Sequence, residues 1–213
     1  DNVITNQGTD TTSSNLNLDD PITRNAVTSD HHAISHAWTF PGGTISTGAG
    51  NAAVNPGSKG GLFEFGPFSG LDGGASGLTD VTFEVWFKPT VPAGTAGEQV
   101  LFETGGGTGI GLYLDGTTLT VHQTSGGADF SADISGLESD FVQALVSVDQ
   151  TNGNTVLYLN GNAAGNGAAG SDWDGGDGAG LGTVGGENAG GIGGTNAGRI
   201  AFEGDIAIYR QYN

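Results

Sequence analysis

The chain has 213 residues, 42 of them Gly and 6 Pro, and sets 5 Lys and Arg against 23 Asp and Glu for a formal net charge of −18. So much Gly disfavours long helices and, without a strict three-residue period, is not collagen; the charge argues against nucleic acid or an anionic membrane surface as partner, because counterion release needs clustered cations. Cys and Met are both absent, which removes disulfides, thiolate nucleophiles and thiolate metal sites.

Residues 1–33 are rich in Asn, Thr, Ser and Asp, with isolated Ile4, Leu16, Leu18, Ile22 and Val27. They read as a polar N-terminal segment packed on a domain that spans residues 34–213. From Ile34 the chain alternates with period two. Along Val81–Lys88, the residues Val81, Phe83, Val85 and Phe87 share one face, opposite Thr82, Glu84, Trp86 and Lys88. Similar runs are Ile34–Phe40, Leu62–Phe65, Gln99–Glu103, Ile110–Leu114, Thr117–His122, Phe141–Val148, Thr155–Leu159, Arg199–Phe202 and Asp205–Tyr209. Asp115-Gly116, Asn152-Gly153 and Asn160-Gly161 lie between runs and predict two-residue type I′ hairpin turns, which need positive φ at both central residues. The Gly-rich stretch 161–198 offers few core residues beyond Trp173, Leu181, Val184 and Ile192, and is expected to be a long loop. No stretch has helical period and caps. Ten or more short strands joined by Gly-rich turns predict an all-β antiparallel sandwich or barrel.

Several of these runs resemble, in order, the laminin-G-like and concanavalin A-like jelly rolls of bacterial secreted and surface proteins. They are Phe83-Glu84-Val85-Trp86-Phe87-Lys88-Pro89, Gly111-Leu112-Tyr113-Leu114-Asp115-Gly116, Ala144-Leu145-Val146-Ser147-Val148-Asp149, Val156-Leu157-Tyr158-Leu159-Asn160-Gly161 and the segment from Phe202 to Tyr212. The resemblance covers roughly residues 34–213 and implies a two-sheet jelly-roll sandwich of about a dozen strands. It further implies binding of carbohydrate, protein or surface polymer, often with calcium at the rim. Two departures stand out. Ala207-Ile208 replaces the Asp-Glu of many relatives, so their structural calcium is not carried over, and Phe141 takes the place of the usual Trp-His.

Candidate chemistry concentrates in Asp172-Trp173-Asp174-Gly175-Gly176-Asp177. Asp172, Asp174 and Asp177, separated by Gly, would either converge on Ca²⁺, a hard cation that takes several oxygen ligands, or form a solvated acidic turn. Trp173 would either stack on a sugar face or plug the sandwich edge. On a strand, His32 and His36 stand about 13 Å apart and cannot share one metal ion unless the chain turns between them. Gly180-Leu181-Gly182-Thr183-Val184-Gly185 matches a phosphate-loop pattern by letter only, because no helix follows. The Glu-x-Asp-x-x-Glu strand of related hydrolases and the Gly-x-Ser-x-Gly elbow are both absent. Glu64, Glu84 and Glu103 each sit alone in apolar strands and would either face a concave groove or, as the expected reading, face solvent.

The expected function is a non-catalytic extracellular or cell-surface module that recognises a glycan or surface polymer, with Ca²⁺ as a possible aid. The chain lacks an initiator Met and any apolar run of ~18 residues, so a processed or excised piece of a longer secreted precursor, without membrane insertion, is expected. A structural or adhesion module making protein contacts is the competing expectation, favoured by the scarcity of aromatics: 3 Trp and 4 Tyr in the whole chain. A polysaccharide hydrolase or lyase is the third.

Overall fold

Burial along the strands follows the period-two pattern: Val81, Phe83, Val85 and Phe87 are buried while Thr82, Trp86 and Lys88 are partly exposed. The structure, a computed structural model, describes residues 3–4, 16–17, 23–31, 33–44, 64–65, 80–90, 97–104, 109–171, 173, 179–182 and 199–212. In these residues the strands are β1 (Val3–Ile4), β2 (Leu16–Asn17), β3 (Thr23–Ala26), β4 (His36–Thr44) and β5 (Glu64–Phe65). They continue as β6 (Asp80–Pro89), β7 (Glu98–Glu103), β8 (Ile110–Asp115), β9 (Thr118–Gln123) and β10 (Phe130–Asp133). The last five are β11 (Val142–Asp149), β12 (Asn154–Leu159), β13 (Asn162–Ala168), β14 (Ala179–Leu181) and β15 (Arg199–Tyr212).

The main sheet runs in the order β10-β9-β8-β7-β15-β6-β11-β12-β13 and folds over on itself into a jelly-roll sandwich. The long strand β15 serves both layers. Its start runs parallel to β7, with Arg199 opposite Glu98 and Ala201 opposite Val100, and its end runs antiparallel to β6, with Arg210 opposite Glu84. The other pairings are antiparallel, as expected. Between the layers the core is aromatic and aliphatic: Phe83 meets Phe102 with ring centroids 5.1 Å apart, and Phe202 meets Phe87 at 6.1 Å. Aromatic pairs in such tilted geometries add to the stabilisation that burial alone provides.

Residues 23–31 pack against this sandwich. β3 pairs with β4, Val27 joins Ile34, Ala37 and Phe141 in a small apolar cluster, and the Asp30 N–H donates to Asp140 Oδ2 at 2.7 Å.

Of the three turn dipeptides, one forms the expected turn. Asn160 and Gly161 both have positive φ, 48° and 81°, between the paired residues Leu159 and Asn162. At β8–β9 the two-residue loop is Gly116-Thr117, with Gly116 at φ 59° and Asp115 still in the ladder opposite Thr118. At β11–β12 the loop is four residues long, because Asp149 pairs with Asn154. There Asp149 accepts the Asn152 N–H at 2.8 Å and its Nδ2–H at 2.7 Å, a side-chain-capped turn that competes with the shorter one.

The Gly-rich stretch is not all loop. Asn162–Ala168 forms the edge strand β13, and its glycines have a packing reason. A Cβ on Gly167 would lie 2.6 Å from the Ala128 carbonyl oxygen and 2.7 Å from Phe130 Cδ1, and one on Gly165 would lie 3.0 Å from Phe130 Cδ2. Bare backbone therefore lets the Phe130 ring of β10 lie across β13 where the edges of the two layers meet. Gly167→Val is expected to cost about 1–3 kcal/mol by overpacking, read as a lower urea midpoint at unchanged slope. A midpoint equal to that of the parent would show that this edge is loosely packed.

The buried Gln123 locks the same end. Its Nε2 donates to the Ala128 and Ala168 carbonyls at 2.9 and 3.0 Å, and its Oε1 accepts the Thr155 hydroxyl at 2.7 Å. All its main bonding capacity is used, as a buried amide requires.

Candidate functional site

The outward face of β15, β6, β11 and β12 is built on the same alternation that buries its opposite side. With Phe83, Val85 and Phe87 inward, Thr82, Glu84 and Trp86 of β6 point outward. Register sets their neighbours: Glu84 lies opposite Arg210 on one side and Leu145 on the other, Trp86 opposite Gln143, and Thr82 opposite Tyr212 and Ser147.

Glu84 is the centre of this face, and its side chain is only 6% exposed. Oε1 accepts from Trp86 Nε1 at 2.8 Å and from Gln143 Nε2 at 2.7 Å; Oε2 accepts from the Tyr212 hydroxyl at 2.6 Å and from Arg210 Nη1 at 3.2 Å. Four donors match the lone-pair capacity of one carboxylate. Burial by itself would raise the carboxyl pKa, but the hydrogen bonds from Tyr212, Trp86, Gln143 and Arg210 outweigh it and hold the group at about 2. The expectation that Glu84 faces solvent is therefore corrected. So is that for Glu103, which is fully buried on the other layer and accepts the Tyr113 hydroxyl at 3.5 Å. The side chain of Glu64 lies outside the described residues.

What Glu84 achieves is orientation. A charged, saturated acceptor fixes an indole, an amide, a guanidinium and a phenol in one arrangement, while Arg210 and Tyr212 keep 54% and 45% of their own exposure. Tyr158 and Leu145, paired with each other and partly exposed, continue the face across β11 and β12. The His31 ring stands edge-on to Trp86 at 4.7 Å. Beside Tyr212 the face dips into an open depression of about 310 Å³, lined by Asp80, Thr82, Ser147, Asp149 and Tyr212 among others.

Asp172, Asp174 and Asp177, the calcium candidates, lie outside the described residues, as does His32. Trp173 is described and sits in the core, 2% exposed, with its ring edge-on to Phe83 at 5.9 Å and its carbonyl accepting the Thr104 hydroxyl. In this position the indole plugs the sandwich and has no face open to a sugar. Among the described residues no group of three or more His, Asp and Glu is placed to hold a metal ion.

Reasoning from sequence alone missed the Glu84 cluster. Glu84-x-Trp86 and Arg210-x-Tyr212 each place two side chains on one face, but only the register of β15 against β6 brings the two pairs together. The fully engaged Tyr113 shows the same logic on the other layer. Its ring lies over Gly111, where a Cβ would fall 2.4 Å from the Tyr113 hydroxyl, and Arg199 Cζ stacks on it 4.1 Å from the ring centre.

The fold is a two-layer β-sandwich of jelly-roll type with one sheet face partly exposed to solvent. The chain belongs to the concanavalin A-like lectin/glucanases superfamily, and its Laminin_G_3 family model matches residues 70–213. Among solved structures it is similar to the CBM40 domain of the Ruminococcus gnavus IT-sialidase bound to α2,3 sialyllactose, at 16% identity and TM-score 0.52 over 83% of this chain and 89% of that one. The same domain bound to α2,6 sialyllactose gives a TM-score of 0.50 at 16% identity, with the same coverage of 83% and 89%. Domains LG4-5 of the mouse laminin α1 chain share 16% identity at TM-score 0.46, over 62% of this chain and 34% of that chain. No curated protein matches. At these identities the likeness establishes the fold, and the site has to be read from its own residues.

Proposed function

We propose that this chain is a non-catalytic, extracellular carbohydrate-binding module whose site is the open face around Glu84. The observation that carries the reading is the four-donor network, which fixes Gln143, Arg210 and Tyr212 on a partly exposed sheet face beside Trp86, itself packed against the cluster of Ile34, Ala37 and Phe141. Rigid amphipathic rings with fixed polar groups suit a sugar, which offers an apolar ring face and a rim of hydroxyls. Membership in a superfamily of lectins and glucanases, and similarity in fold to carbohydrate-binding domains, support the same reading.

Catalysis is disfavoured by the chemistry of Glu84. A general acid at neutral pH needs a raised pKa and a proton to give, whereas Glu84 is held ionised with every acceptor position taken. Tyr212→Ala is expected to weaken glycan binding at least about tenfold, the loss typical of a central aromatic contact, by isothermal titration against the best ligand from a glycan array. An array without any binder, together with self-association in sedimentation, would overturn the carbohydrate reading in favour of an adhesion module that makes protein contacts.

Calcium assistance at Asp172, Asp174 and Asp177 rests on their spacing in the sequence. If the ion binds there, a hundredfold excess over Kd raises apparent stability by about 2.7 kcal/mol, and Asp174→Ala removes that gain. Equal small shifts of the unfolding midpoint in CaCl₂ and MgCl₂ would instead mean charge screening of an acidic surface.

A further inference from the structure

We propose that the depression beside Tyr212 selects sugars by charge, taking units that are neutral or carry an amine and rejecting those that carry carboxylate or sulfate. This rests on the carbohydrate reading above and assigns that site its ligand class.

The charges around the depression carry the inference. Arg210, two residues before the lining Tyr212, is bonded to Glu84 at 3.2 Å, so the two charges offset each other. Lys88 lies at the far end of β6, eight residues from Asp80, or about 26 Å by strand rise. Arg199 sits on the other layer, 3.3 Å from Glu98. What remains at the depression is Asp80 and Asp149, directly opposite each other on β6 and β11. Both are anchored: Asp149 holds the Asn152 turn, and Asp80 accepts the Thr151 hydroxyl at 3.3 Å. Anchored carboxylates keep spare acceptor positions for sugar hydroxyls or an ammonium group. Thr82, whose hydroxyl donates to that of Ser147 at 3.1 Å, and the exposed Tyr212 complete the wall with neutral hydroxyls.

A carboxylate or sulfate brought within about 5 Å of either Asp meets like charge, with no cation among the described residues that line the depression to offset it, a penalty of roughly threefold in affinity per Asp in a watery site. A neutral ring meets no such penalty, and an amine gains by a similar factor. Specificity of this kind is built by repulsion as much as by contact.

The test is an array of neutral, amino, carboxylated and sulfated oligosaccharides probed with the whole chain, followed by titration of the strongest binders. Neutral or amino sugars are expected to bind about tenfold more tightly than their acidic counterparts, with a smaller ratio in about 1 M NaCl. Asp80→Asn, which keeps an acceptor oxygen, should cut that ratio about threefold with the unfolding midpoint little changed. Acidic sugars binding most tightly, or a ratio indifferent to Asp80→Asn, would overturn the charge selection and leave the carbohydrate module standing. Binding to none of the four classes would overturn the carbohydrate reading and this inference with it.

Discussion

Gly182→Ala is expected to destabilise the fold by roughly 2–5 kcal/mol, the combined cost of a left-handed backbone for a residue with Cβ and of an overpacked core. Gly182 has φ +75°, and a Cβ there would lie 2.4 Å from Phe40 Cδ1 and 2.5 Å from Cε1. Phe40 is 1% exposed and packs against Phe202, so it has little room to yield. The backbone cannot relax freely either, because the Gly182 N–H donates to the Leu101 carbonyl at 2.7 Å and its carbonyl accepts the Phe202 N–H at 2.8 Å. These two bonds join the residue that follows β14 to both β7 and β15. Pairing the substitution with Phe40→Leu should recover part of the clash and none of the backbone strain, which a double-mutant cycle in urea separates. A loss below about 1 kcal/mol in the single variant would mean that this corner of the core is soft.

Acidification should remove the stabilisation that the Glu84 network provides. The folded carboxyl titrates at about 2 and the unfolded one at its ordinary 4.5. Because the folded value is the lower, the stabilisation is fully present above the unfolded value and fades as pH falls from about 4.5 to about 2. The difference corresponds to at most about 3 kcal/mol at neutral pH. Asp133 and Asp149 are also held below the usual carboxylate range, by hydrogen bonds from Ser135 and Asn152 respectively, so the parent protein's acid response mixes several groups. Comparison with Glu84→Gln isolates one of them. The variant should be less stable by up to about 3 kcal/mol at pH 7 and converge on the parent near pH 2. It should also lose glycan affinity at neutral pH, since Trp86, Gln143, Arg210 and Tyr212 lose their shared acceptor. A stability gap independent of pH would show that Glu84 acts by packing rather than by charge.

The strands were legible because one-sided burial leaves a mark of period two. Val81, Phe83, Val85 and Phe87 could be assigned to the core from spacing alone, as could Val146 and Val148 of β11. The N-terminal half of β4 was also found, and the jelly-roll family was recognisable from the order of five such segments. β13 escaped notice because its sequence, Asn162 to Ala168, carries no apolar alternation. Its glycines answer to the ring of Phe130, a residue more than thirty positions earlier. The hairpin at Asp115-Gly116 was misplaced by one residue for a similar reason, since strand register rather than the dipeptide decides which residues form the loop. At Asn152-Gly153, the capping carboxylate of Asp149 outweighed the preference for a shorter turn.

The candidate site divides along the same line. Alternation within β6 determined, from sequence by itself, that Glu84 shares a face with Trp86. The acidic balance, 23 Asp and Glu against 5 Lys and Arg, is likewise read from the sequence by itself. Only the tertiary structure decided that Arg210 and Tyr212 of β15 join Glu84 and Trp86 on that face. The antiparallel register of β15 against β6 brings together residues 126 positions apart, and no local pattern encodes that offset. The burial of Glu84 follows from the same pairing. A lone Glu among apolar neighbours reads as solvent-facing until four donors from three strands surround it, and the energy of those bonds, rather than any local propensity, holds the charge in place.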